Sequence, residues 1–378
     1  MPVTRFVMQK DDFMFAKVKR IYAKLQDELS RRIFAKHLMY NLTDDGTFIR
    51  NMLIEDVGIN EFKQLQDALR ENQNRPLVLF GAGELGKHTK RLFCDFSWTC
   101  YVDNGKYGQN CLGLPVISVG ELKQKYSGAF VVITNKNSCD DIAEQLGSIG
   151  FSDKLIYKWG GGVIDSWERK LIPRQYFDLP ELPHAEEEIF VDAGGLDGET
   201  TLNFAKWAGK TYKGAYIFEP EEKQAHFCEE NTKGLSNVKV FSKGLWDKEA
   251  TLEFLSININ DATELVCKES KDSYVAANLE GDEVFSCRVT SLDEQLKEVG
   301  ADKVTFIKMD IEGSEYNAIK GMEKTIKKNL PKLAVSVYHK KEDLIMIPLL
   351  LLEYCGEYRF YLRHYDCCAN DTVLYAVI

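Results

Sequence analysis

The sequence predicts an α/β protein with two Rossmann-like domains in series, and three observations carry that prediction. Strand-like apolar runs alternate with helical stretches from Pro76 to about Tyr157, and the alternation restarts at Glu188. Each half opens on a strand that hands over to a helix through a glycine turn, LFGAGELG at 79–86 and FVDAGGLDGETT at 190–201. At 378 residues the chain exceeds the usual size of one hydrophobic core.

Residues 1–75 read as a helical front piece. Val18, Tyr22, Leu25, Leu29 and Ile33 recur at steps of three or four, which marks one face of an amphipathic helix. A break at Thr43–Gly46 precedes a second helical stretch, and a third covers roughly Ile59 to Glu71. Residues 76–158 form a small parallel-sheet module: PLVLF, CYVDN, LPVIS and AFVVITN are its strands, with helical segments between them. Residues 159–185 hold WGGGVIDSW and three prolines without a sustained period, and are read as the linker. Residues 186–378 make the second domain. It closes on YRFYLRHY and TVLYAVI, two β-rich runs joined by a polar turn, so an antiparallel final hairpin is expected. The polar segment Asn258–Glu283 interrupts the rhythm and is the expected cover over a pocket.

Charge and composition exclude several functions. Lys plus Arg number 48 against 58 Asp plus Glu, a formal charge of −10 that opposes nucleic-acid binding. The apolar run from Leu344 carries a proline and meets a glutamate too soon to span a bilayer, so no membrane insertion is expected. The start, MPVTRFVMQKDDF, lacks an export signal, and ten cysteines without paired spacing read as reduced thiols. A cytoplasmic protein is the expectation. Nothing fixes its oligomeric state, and the front helix is equally suited to a homo-oligomer contact.

The second glycine turn carries the chemistry. Asp192 ends a strand, and Gly194, Gly195 and Gly198 open the backbone so that a ligand can approach main-chain amides, with Thr200 in the first helical turn. Glu219 ends the next strand, 27 residues beyond Asp192, where a carboxylate takes the two hydroxyls of a ribose. The spacing is not that of a pyrophosphate binder and no P-loop lysine follows. An adenosyl ligand without phosphates fits best, and S-adenosylmethionine is that ligand. Further on, VTFIKMDIEGSE sets Asp310, Glu312 and Glu315 just past a buried-looking strand. Asp310 is the first candidate to orient a hydroxyl or accept its proton, with Glu312 sharing the task. His339, after LAVSVY, and His364, in YLRHY, are candidate neutral imidazole bases, His339 the stronger. These acids and His339 are also suited to a divalent ion, but sequence separation fixes no geometry and no metal is expected.

FVDAGGLDGETT, YIFEPE, GLWDKEATLEF, VTSLDE, VTFIKMDIEGSEYNAIKG, PKLAVSVYHK and YLRHY before DTVLYA occur in that order, and over residues 186–378 the chain resembles the FkbM family of S-adenosylmethionine-dependent methyltransferases. That resemblance implies a class I methyltransferase sheet of seven strands with a reversed last hairpin, and methyl transfer to an oxygen of a sugar or small natural product. Gly195 stands where alanine is frequent, and Asp371 where glutamate is frequent.

The first turn, with Gly81, Gly83, Gly86 and Asp103 22 residues after the first glycine, has the layout of a nucleotide site. The unit is similar to small modules that precede sugar-modifying enzymes, some of which bind nucleotide sugars. A nucleotide or nucleotide sugar is one expectation here, and a scaffold without ligand the other. A nicotinamide-linked oxidoreductase or epimerase, and a non-catalytic binding protein, are the rival functions. The former needs a second half of the dinucleotide fold that the sequence lacks.

Overall fold

The computed structural model describes residues 10–259, 262–267 and 283–378. They divide into two compact units that do not follow chain order. Residues 32–175 with 364–370 form one, here the N-terminal unit; residues up to 31, 176–363 and 371–378 form the other, the C-terminal unit. The linear division at 75, 158 and 185 therefore differs from the packing at both ends of the helical front piece and of the linker.

The front face read from Val18 to Ile33 belongs to two helices, α1 (Lys10–Lys24) and α2 (Glu28–Thr43). The break has a local cause: the Asp27 carboxylate accepts the Ser30 amide at 2.7 Å and so starts α2. Leu25 meanwhile forms a parallel bridge to Phe360. After α3 (Thr47–Met52), a single π turn (Leu53–Val57) ends on left-handed Gly58, and α4 (Asn60–Glu71) follows.

The sheet of the N-terminal unit has the order β3-β4-β2-β1-β5-β6. Its central strand β1 (Leu77–Phe80) pairs parallel with β2 (Trp98–Val102) and β5 (Phe130–Ile133), while β3 (Asn110–Cys111) and β4 (Leu114–Ile117) extend one side and β6 (Ile156–Lys158) the other. β1 and β5 are buried at every position, as strands covered on both faces require. Helices α5 (Glu84–Leu92), α6 (Val119–Lys125) and α7 (Cys139–Ser148) provide the crossovers.

The stretch read as a linker instead begins with a helix, α8 (Trp159–Lys170). Trp159 packs edge-on to Phe62 and Phe93 and donates its indole hydrogen to Thr89 Oγ1 at 2.9 Å. Three glycines hide the helical pattern, and at Gly160 the reason is contact: a β-carbon there would lie 2.6 Å from the Asn135 carbonyl.

In the C-terminal unit, β7 (Glu188–Ala193), β8 (Tyr212–Phe218) and β9 (Val238–Phe241) run parallel, joined by α9 (Glu199–Ala208) and α10 (Glu222–Thr232). β10 (Gly244–Leu245), β11 (Ala250–Ile259), β12 (Ala262–Cys267) and β13 (Glu283–Thr290) form a separate four-stranded sheet that the sequence reading did not foresee. The ends of the polar segment 258–283 thus belong to strands, and its residues 260–261 and 268–282 lie outside the described residues. After α11 (Leu292–Glu298) the main sheet resumes with β14 (Phe306–Met309), α12 (Glu315–Lys320), α13 (Glu323–Asn329), β15 (Lys332–Ser336), α14 (Asp343–Tyr354), β16 (Arg359–His364) and β17 (Thr372–Val377).

That main sheet has seven strands in the order β16-β17-β15-β14-β7-β8-β9. β17 lies antiparallel to β15, between β15 and β16. From β7 the chain winds outward through β8 and β9, then returns to place β14 on the other flank of β7. The carboxyl ends of β7 and β14 therefore diverge into a crevice at a topological switch point. Phe190, Phe204 and Phe306 stack beneath them, with the Phe190 and Phe204 centroids 4.2 Å apart. No helix among the described residues is long and apolar enough to cross a membrane.

Two features tie this sheet together away from the crevice. At the strand starts, the Lys332 ammonium donates to both oxygens of Glu188, at 2.8 and 3.0 Å, with both side chains buried. At the open edge, the Gln26 amide donates to Phe360 O at 3.0 Å, the Leu362 amide donates to Ser30 Oγ at 2.9 Å, and Arg363 pairs with Asp27 at 2.6 Å. Removing one partner of a buried pair strands the other charge. Lys332→Met is expected to lower unfolding stability by about 3–5 kcal/mol in urea titrations, and the double variant Lys332→Met with Glu188→Gln to recover most of that loss.

Candidate functional site

The crevice is built on a charge inside the sheet. Lys308 in β14 sits opposite Asp192 in β7. Its ammonium lies 3.2 Å from Asp192 Oδ1 and donates to the carbonyls of Gly194 at 2.6 Å and Ala193 at 3.3 Å. The other oxygen of Asp192 accepts from Thr201 Oγ1 at 2.8 Å. Asp192 and Thr201 are both fully buried, so Asp192 holds the loop from beneath and presents no surface to a ligand. This corrects the sequence reading on two points: Asp192 is internal, and it is Thr201, not Thr200, that faces it. Successive helical residues point about 100° apart, so adjacent threonines in α9 cannot both turn inward.

The glycine turn is likewise committed to the protein itself. The amides of Gly194 and Gly195 both donate to Phe218 O, at 2.9 and 3.3 Å, the Gly198 amide to Gly195 O at 2.7 Å, and the Glu199 amide to Asp197 Oδ1 at 3.0 Å. These are not the free donors the sequence reading expected. The glycines answer to close packing. Gly194 has φ 80°, and a β-carbon there would sit 1.9 Å from Asp310 O; at Gly195 it would lie 2.3 Å from the Ile217 side chain. The turn lets β7, β14 and α10 approach one another.

Glu219, at the end of β8, fixes the rim of this loop. Its Oε2 accepts the Leu196 amide at 2.9 Å and its Oε1 the Glu221 amide at 3.1 Å. Each oxygen retains a second lone pair, and the side chain is nearly buried. Burial pushes the Glu219 carboxyl up to about 7, against the pull of its two amide donors and of Lys308.

Across the crevice the acids of β14 and α12 converge on one imidazole. The strand ends at Met309, and Glu312 (φ 52°) and Gly313 (φ 85°) turn the chain so that alternation no longer separates Asp310 from Glu312. His339 Nε2 lies 3.1 Å from Glu312 Oε2 and 3.6 Å from Asp310 Oδ1, while Nδ1 lies 3.0 Å from Glu315 Oε1. Burial works against charge on the ring, but Glu315, Glu312 and Asp310 outweigh it and hold the imidazole well above its ordinary value. The three carboxylates thus favour the charged ring, where the sequence reading expected a neutral base. Asp310 stays below the usual carboxylate range: burial acts against this, and His339 and Lys308 overcome it.

Two tyrosines complete the Asp310 environment, and sequence reasoning missed both roles. Tyr176 donates to Asp310 Oδ2 at 2.8 Å and Tyr338 to Oδ1 at 3.4 Å. Tyr176 adopts φ 71°, unusual for an aromatic residue, and its ring lies 5.4 Å from the Lys308 ammonium. It stands in the stretch read as linker, where no periodicity could flag it. His364 belongs to the N-terminal unit, beside His37 with ring centroids 5.7 Å apart. Burial pushes the two imidazoles down, to about 3 and about 4, so His364 is no part of this cluster.

The turn of the N-terminal unit serves its own fold. Asp103 Oδ2 accepts the Ala82 amide at 2.9 Å, and Oδ1 accepts those of Gly105 and Lys106 at 2.9 and 3.0 Å. A β-carbon on Gly86 would lie 2.0 Å from Gly81 O, and one on Gly81 2.7 Å from Thr134 Oγ1; at Gly83 nothing comes within 4 Å. Three amides thus occupy three of the four acceptor positions of the carboxylate placed to take ribose hydroxyls.

A seven-stranded sheet with one reversed strand thus opens between a glycine turn and an acidic strand end. Residues 192–366 match the model of the Methyltransferase FkbM domain. The chain is 26% identical over 165 residues to the 2-O-methyltransferase NoeI of Sinorhizobium fredii (strain NBRC 101917 / NGR234), a match that covers 42% of this chain and 65%, just under two thirds, of that relative. A solved structure of methyltransferase FkbM from Methylobacillus flagellatus KT aligns with a TM-score of 0.49 at 19% identity, over 89% of this chain and all of that one. Fibrillarin from Aeropyrum pernix, solved with natively bound S-adenosylmethionine, aligns with a TM-score of 0.33 at 11% identity, over 53% of this chain and 71% of its own.

Glu219 makes stability depend on pH. Its folded value of about 7 lies above the ordinary 4.5, so the folded state holds the proton more tightly than the unfolded chain. That contribution is complete below about pH 4.5 and is lost as pH rises through about 7. Urea unfolding is expected to show a decline on the order of 1–3 kcal/mol from this group between pH 5 and 8. Glu219→Gln should flatten that part of the slope.

Proposed function

We propose that the protein is an S-adenosylmethionine-dependent O-methyltransferase acting on a sugar hydroxyl of a glycan, a nucleotide sugar or a related natural product. The observation that carries the reading is the pairing of Glu219, on the rim of the glycine turn, with the Asp310–Glu312–His339 cluster at the end of β14. The FkbM domain match and the resemblance to a 2-O-methyltransferase support transfer to oxygen.

Glu219 suits a ribose because each of its oxygens keeps a lone pair toward the crevice, where a vicinal diol donates one hydrogen to each. The acids on the far wall suit a cationic sulfonium. S-adenosylmethionine supplies a methyl group on that sulfonium, and displacement by an oxygen requires the two to be held close and in line. Positioning of this kind is worth on the order of 7–11 kcal/mol in a well-oriented pair. Asp310, steadied by Tyr176 and Tyr338, would accept the hydrogen bond of the acceptor hydroxyl and take its proton as the O–C bond forms and the sulfonium S–C bond breaks. His339 holds Asp310 and Glu312 in position and is a positioning residue in this scheme.

The first test is calorimetry with S-adenosylmethionine, NAD and a nucleotide sugar. Heat with the first alone supports this reading, and heat with NAD alone replaces it by a nicotinamide-linked enzyme. Because the diol needs an ionised Glu219, affinity for S-adenosylmethionine is expected to rise about tenfold from pH 6 to pH 8. Glu219→Gln should bind weakly at both. Radiolabelled methyl transfer, screened over sugars, nucleotide sugars and lipid-linked glycans, is expected to fall about 100-fold or more in Asp310→Asn, with binding retained. Equal turnover in that variant removes Asp310 from the chemistry.

A further inference from the structure

We propose that Asp310, Glu315 and His339 form a binding site for one divalent cation. The sequence marked these residue types as suited to a divalent ion, but no metal was expected from it, because the three residues come from different elements: the end of β14, the first turn of α12 and the segment after β15. The fold brings one ligand atom of each to within 4.8 Å of the others. Oxygen ligands on opposite sides of a divalent ion lie roughly 4–5 Å apart, so the set closes on such an ion with small side-chain movements.

A second, separate observation points to a missing partner. Glu315 is fully buried; its Oε1 accepts the Ile311 amide at 2.9 Å, while its Oε2, also buried, has no hydrogen-bond partner. An unmatched carboxylate oxygen in the interior costs free energy that a cation removes. Charge leads to the same conclusion. Asp310, Glu312 and Glu315 surround a single imidazole, which offers one positive charge at most. The neighbouring ammonium groups are engaged elsewhere, Lys308 with Asp192 and the Gly194 carbonyl, Lys340 with the Gly313 carbonyl.

The buried Glu315 carboxylate, the partly exposed Asp310 carboxylate and the imidazole, which gives up its second proton to bind, form an oxygen-rich set of the kind that suits Mg²⁺ or Mn²⁺ rather than a soft metal. Glu312, partly exposed on the rim 3.1 Å from the ring, adds negative charge beside the set. The solvent side remains open to water or to an acceptor hydroxyl. The use of such an ion in polarising that hydroxyl rests on the methyltransferase reading; its binding does not.

The test is titration of the chelator-treated full chain with Mn²⁺, with the electron paramagnetic resonance signal of the free ion as readout. One ion taken up per chain, with affinity weakened about tenfold or more in both Glu315→Gln and His339→Gln, is the expected result. Free signal undiminished by the wild-type chain overturns the proposal, as does uptake unchanged in the two variants. Circular dichroism checks folding; if Glu315→Gln does not fold, the wild-type titration and His339→Gln decide. Calorimetry with S-adenosylmethionine on the same samples separates the two claims. Binding of that compound without Mn²⁺ uptake sinks the metal site alone, and Mn²⁺ uptake without that heat sinks the methyltransferase reading alone.

Discussion

The crevice of the C-terminal unit depends on a lysine ammonium placed where ammonium groups are seldom found, in the middle of a parallel sheet. Lys308 is surrounded by Phe306, Ile307 and Met309, all fully buried, and its charge is answered by Asp192 on the adjacent strand. The same ammonium reaches the Ala193 and Gly194 carbonyls. One charge thereby sets the end of β7 and the entry to the glycine turn and, with the larger effect of His339, favours the ionised form of Asp310. A hydrophobic side chain of similar volume would fill the space but supply neither the donors nor the field.

This arrangement changes what the glycines mean. A glycine turn after a strand is commonly taken as an opening for a ligand, and here its amides are consumed by Phe218, Gly195 and Glu219. The absence of side chains at Gly194 and Gly195 permits contact with Asp310 and Ile217. The acidic groups at the strand ends flank this turn, and Glu219 is bonded to it through the Leu196 amide. The N-terminal unit repeats the logic: Asp103 and its glycines close a turn.

Much of this was legible in the sequence, and what was not has identifiable causes. The alternation of strand and helix gave both sheets, and the strand ends gave Glu219, Asp310, Glu312 and His339, because carboxyl ends of parallel strands open on one side. Lys308 was findable: a lysine inside VTFIKMD, in a strand otherwise apolar, needs an acid, and Asp192 ends the strand that pairs with it. Tyr176 was not, since a lone aromatic among prolines carries no period. The choice between Thr200 and Thr201 turned on where α9 begins, a boundary that composition does not fix. The charge of His339 depended on three carboxylates that only the folded chain assembles.

The edge of the seven-stranded sheet is closed by residues from the opposite end of the chain. Arg20, Lys24 and Ser30 reach partners 332 positions later. Contacts of such separation delay folding, since the closure entropy of the whole intervening chain must be lost before they form. During synthesis the N-terminal unit lacks only its last few residues when residue 175 has emerged, whereas the first helix has nowhere to dock until α14 leaves the ribosome. Emergence of residues 360–378 therefore completes the C-terminal unit, and a ribosome that stalls before residue 360 leaves it unsealed.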